Sequence, residues 1–291
     1  MDHQDSTASL SRKPHQEVKQ LSIKLQGKKG DCLLGDFVFE LPNAVYPKIV
    51  EIKLKELKTI WKHWIVERRN VFMTKYGDIA LLFLIEVDEQ LLKAIILLWD
   101  PFYWCFTFNQ EDLTSTVEEY SALLRISSVD PNRVFWKKAK KVPYRKKLPQ
   151  MMNIDASVLV SSTKKKGKNE YVQCNFLKQY IIENNDDDRV VDMFALVVYG
   201  TIIFPQSLEY VDTTIVDLIK QIDYPVNPIP AIVAETIRSL NYCRREDKGS
   251  FIGYAQLLYI WVRSHFWGKC EAPLKFCMSN VVPIEEFCKK D

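Results

Sequence analysis

The sequence predicts a mainly α-helical protein, an irregular multi-helix bundle with one or two short strands and a basic loop insert. Three observations lead there. Apolar residues recur at helical spacing along several separate stretches. Only 9 Gly stand against 13 Pro, which leaves few tight hairpins and leans away from an all-β fold. Of the 291 residues 47% are hydrophobic and 12% aromatic, enough for a packed core and too much for a disordered chain.

Residues 1–40 read as a polar, mobile arm, and Met1 to Gln16 has no apolar run that would serve as a secretory signal. The helical domain follows in two parts, 41–130 and 171–291, on either side of an insert at 131–170. Alternation over Phe37 to Leu41 gives a short strand. From Pro47 to Arg68, Ile49, Ile52, Leu54, Leu57, Ile60, Trp61 and Trp64 form a helical stripe. Asp88 caps the next helix, with Leu91, Leu92, Ile95, Ile96 and Trp99 at helical spacing. Asp100-Pro101 stops it, because the residue before proline resists the α region.

Trp104 to Phe108 is extended, and Ser115 with Glu118 makes a capping box for a helix through Leu124. The charged stretch Ser127 to Glu170 reads mostly as loop, with Phe135 and Trp136 able to anchor a short helix. Helices return at Asn175 to Glu183, at Arg189 to Ile203 behind Asp186, Asp187 and Asp188, and at Leu208 to Ile222. Pro230 opens another, with Val233, Ile237 and Leu240 inward. Ser250 caps a last helix, Phe251 to Trp267, apolar on most sides and closed by Gly268.

Seven cysteines, an odd number widely scattered, point to free thiols in a reducing compartment. The most apolar run, Met193 to Phe204, is too short for a bilayer, which needs about 20 residues. These features give an intracellular protein with no membrane span. The net charge of +3 hides a strong imbalance. Pro131 to Lys168 holds 12 basic residues and one acid, Asp155, while the rest of the chain is acidic.

Within that insert, Lys137, Lys138, Lys140, Lys141, Arg145, Lys146 and Lys147 fall close together. Lys164, Lys165, Lys166 and Lys168 follow. Three readings stand side by side: a solvated loop, a nuclear import signal, or phosphate contacts with Phe135, Trp136 and Tyr144 stacking on bases. Arg244 and Arg245 complement the C-terminal dipole of their helix.

Catalytic chemistry finds little support. Asp186, Asp187 and Asp188 are adjacent, so their carboxylates diverge, and a helix start is their simpler use. His265, Cys270, Cys277 and Cys288 lack zinc-finger spacing. Of four histidines, His3 and His15 lie in the arm, leaving His63 and His265. Glycine-rich phosphate loops, HExxH and nucleophile elbows are absent from the sequence. No cofactor and no small-molecule ligand is expected. A metal-dependent transposase-like enzyme would need Asp192, Asp212 and Glu235 to converge.

Three stretches carry a family resemblance. One runs from Trp99-Asp100-Pro101 through Cys105-Phe106-Thr107-Phe108 to the helix Glu118 to Leu124. The second is Asp192-Met193-Phe194-Ala195 through Tyr199-Gly200 to Phe204-Pro205. The third runs Ala234-Glu235-Thr236, Arg238-Ser239-Leu240, Cys243-Arg244-Arg245, Gly249 and Trp261 to Trp267.

On these the chain resembles a plant-specific uncharacterised family related to the plant mobile domain and associated with transposons. The resemblance covers roughly residues 70 to 291. It implies a helical domain, plant origin and descent from mobile elements, with a nuclear place in gene or transposon silencing. It implies no catalytic residues. Where plant mobile domains have a Gly-Leu-Pro-like turn, this chain has Arg125-Ile126-Ser127, and its end at Asp291 is early for the family, as in a fragment. The expected function is a non-enzymatic interaction module with protein partners, nuclear rather than cytoplasmic. The alternative is nucleic-acid binding through 131–168.

Overall fold

The computed structural model describes residues 44–47, 51–108, 111–126, 144–166, 169–205, 209–222, 226–245 and 249–267. The expected arm 1–40, the strand at Phe37 to Leu41, and Gly268 with Cys270, Cys277 and Cys288 lie outside them. Among the described residues the chain is mainly helical, as expected, with eleven α-helices. They are α1 (Glu51–His63), α2 (Val66–Tyr76), α3 (Glu89–Leu97), α4 (Val117–Leu124), α5 (Tyr144–Met152), α6 (Ala156–Val160), α7 (Cys174–Glu183), α8 (Val190–Val198), α9 (Thr213–Ile222), α10 (Ile229–Arg245) and α11 (Ala255–Phe266). A 3-10 helix spans Gly77–Leu84 and a π-helical turn Tyr199–Ile203.

Strands are more numerous than the one or two expected. β1 (Tyr46–Pro47) pairs in parallel with β8 (Ser250–Phe251). β2 (Trp99–Asp100), β3 (Cys105–Phe108) and β4 (Glu111–Leu113) form an antiparallel sheet in that order. So do β5 (Thr163–Lys166), β6 (Asn169–Gln173) and β7 (Tyr210–Asp212). Each has only two to five residues, too few for alternation to register against the helical signal.

The chain divides into two interleaved compact units. One draws on the described parts of Met1–Ile49, Ile85–Glu119 and Thr236–Asp291; the other on Val50–Leu84 and Tyr120–Glu235.

In the first unit, Asp88 caps α3 as expected, its carboxylate accepting from Gln90 N (3.0 Å) and Leu91 N (3.1 Å). Leu91, Leu92, Ile95, Ile96 and Trp99 are all buried. Trp99 and Asp100 leave the helix and form β2, placing Trp99 edge-on to Phe106 at 4.9 Å between ring centroids. Phe106 in turn stacks on Trp261 at 5.7 Å. The last helix is central, as its all-round apolarity predicts, but it begins at Ala255. Ser250 and Phe251 are strand residues, so Ser250 is not its cap.

In the second unit the helix expected over Pro47 to Arg68 ends at His63, and α2 starts anew at Val66. Leu54, Leu57, Ile60, Trp61 and Trp64 are buried as the stripe requires. The break lets Trp61, Trp64, Phe72 and Phe83 surround Phe194 of α8, with Trp64 at 4.8 Å. All of α8 except Asp192 is buried. The π turn follows, where Gly200 leaves room for Val211; a Cβ there would lie 2.4 Å from Val211 Cγ1.

Two expectations for this unit need correction. From Tyr144 on, the loop presumed through Glu170 holds two helices and the paired strands β5 and β6, anchored by buried Leu148, Met151, Met152 and Leu159. Its high charge masks those few anchors. Residues 127–143 lie outside the described ones. The helix expected over Leu208 to Ile222 begins only at Thr213, because Tyr210–Asp212 pairs with β6; Asp212 then caps it through Thr214 N (2.7 Å).

Candidate functional site

The basic segment is the first candidate. Lys137, Lys138, Lys140, Lys141 and Lys168 lie outside the described residues. Arg145, Lys146 and Lys147 sit on α5, and Lys164, Lys165 and Lys166 on β5. Arg145 pairs with Glu170 at 3.2 Å, Lys147 with Asp217, and the Lys164 ammonium lies 4.8 Å from the Tyr210 ring centroid. Lys146 and Lys165 are exposed. β5 is an edge strand, and lysines on an exposed edge keep other chains from adding to the sheet. The described part of the segment is therefore built into the fold.

The second candidate joins residues far apart in sequence. The box opening α4 is Thr116 with Glu119, one residue beyond the expected Ser115 and Glu118. Thr116 N donates to Glu119 Oε2 (3.0 Å) and Glu119 N to Thr116 Oγ1 (3.2 Å). The same carboxylate accepts from Trp261 Nε1 (2.8 Å), and its Oε1 lies 2.9 Å from His265 Nε2. His265 Nδ1 lies 2.8 Å from the Trp261 carbonyl oxygen. Burial pushes the Glu119 carboxyl up, but the bonds from His265, Trp261 and Thr116 outweigh it and hold the group down at about 2. His265 is thus a packed, hydrogen-bonded side chain. Sequence gave no hint of its partner, because Glu119 reads as an ordinary helix-start acid.

Two further carboxylates also serve the fold. Asp187 accepts from Arg189 N (2.8 Å) and pairs with its guanidinium, ahead of α8. Asp192 accepts from Lys75 Nζ (2.7 Å) and Tyr76 OH (2.8 Å). Among the described residues no three His, Cys, Asp or Glu side chains gather as metal ligands, Asp192, Asp212 and Glu235 included. Arg244, fully buried, points its Nε at the Trp99 carbonyl (3.5 Å), and Arg245 Nη2 donates to the Pro101 carbonyl (2.5 Å). Both arginines therefore hold the β2 end rather than only complementing their own helix.

Two buried donors, Trp64 Nε1 and Tyr199 OH, have no hydrogen-bond partner among the described residues. Burial drives the Tyr199 hydroxyl far above the usual phenol range. No helix of the described residues is long and apolar enough to cross a membrane.

These parts define a helical protein in which Asp78, Glu119, Asp187 and Asp192 are tied into ion pairs, caps and aromatic packing. Residues 54–275 of the chain match one family throughout. The chain belongs to that family, described as Domain of unknown function (DUF7745). No curated protein and no solved structure matches it.

Proposed function

We propose that the chain is a non-enzymatic interaction module of transposon-derived, plant mobile domain-like origin, acting in the nucleus through protein partners. The observation that supports this most directly is where the shielded acids go. Asp78 is held by Arg125, Asp192 by Lys75 and Tyr76, and Glu119 by His265 and Trp261. Catalytic acids and bases work when a proton or lone pair faces a substrate. Here those groups face each other and fix the packing. Proximity labelling with the full chain is expected to mark nuclear, chromatin-associated proteins. Recovery of cytosolic housekeeping proteins alone would remove the reading.

A second reading is nucleic-acid contact through 131–168, favoured by the exposure of Lys146 and Lys165. It requires affinity that falls steeply as salt rises, with the slope reduced when Lys137, Lys138, Lys140, Lys141, Lys146 and Lys147 are made neutral. A flat salt response excludes it.

A further inference from the structure

We draw no further inference here: the strongest candidate, the turn between β2 and β3 with its exposed Tyr103 and Trp104 side chains, carries none because nothing in the structure shows what covers those two rings.

Discussion

Arg125 stands where a helix normally ends in glycine. Ile126 N donates to the Ser121 carbonyl (3.0 Å) and Arg125 N to the Ala122 carbonyl (3.2 Å), the paired bonds of a Schellman ending with Arg125 in the left-handed position. A side chain there costs about 1 kcal/mol. Its guanidinium meets both oxygens of Asp78, which is 2% exposed, while Arg125 itself stays half open to solvent. Arg125→Gly relieves the backbone yet leaves a carboxylate buried alone. We expect a net loss of about 1–2 kcal/mol, after allowing for solvent around the guanidinium, read as a lower urea midpoint. A higher midpoint would show that strain outweighs the pair. Gly77 faces the same helix end at φ 69°, and a Cβ there would fall 2.4 Å from the Leu124 carbonyl oxygen. Glu119 supplies the pH response. Its folded value, about 2, lies below the 4.5 of a free glutamate. The stabilisation is therefore complete above pH 4.5 and disappears as pH falls toward 2. Partial solvent access limits it to about 2 kcal/mol. Acid unfolding followed by circular dichroism should show a steeper loss over that window in the parent than in Glu119→Gln; matching curves would remove Glu119 as the cause. None of this was legible in the sequence, where Arg125 and Asp78 are separated by α3, the sheet β2–β4 and α4, and left-handed backbone has no marker unless glycine or asparagine provides one.

Helix faces were legible, and their ends less so. The stripe of α1 and the cap of α3 follow from spacing and from Asp88, because burial and capping act over neighbouring turns. The starts expected at Leu208 and Ser250 were early, because short strands use the same apolar and hydroxyl residues as helix starts. The expected helix through Ile203 is apolar enough to continue, yet it widens into the π turn at Tyr199. Widened turns commonly record a local insertion or a functional need. Here the turn carries a buried hydroxyl with no acceptor among the described residues. Tyr199→Phe removes that hydroxyl and keeps the ring beside Tyr76 and Phe204, so it is expected to raise stability by about 1 kcal/mol. Tyr180→Phe is the control. Its hydroxyl donates to the Met152 carbonyl (2.6 Å), and its loss should lower stability by about 1 kcal/mol. Thermal melts of the two variants should move in opposite directions; a fall for Tyr199→Phe would show the hydroxyl to be engaged.

At the scale of the whole chain, composition anticipated the helical class and the uneven charge, since both are sums that need no contacts. It could not anticipate the partition into units, because periodicity shows that a face is apolar without naming what covers it. Trp99 and Phe106 wait for Trp261, more than a hundred residues downstream. That order of assembly has a consequence for biosynthesis. A ribosome releases residues 85–119 well before α11, and the stretch Tyr120–Glu235 of the second unit emerges between them. Until α11 emerges, the nascent chain must carry bare indole and phenyl surface, which attracts chaperones and neighbouring polypeptides. Synonymous codons that slow elongation after residue 119 would prolong that exposure and lower the soluble yield without altering one amino acid.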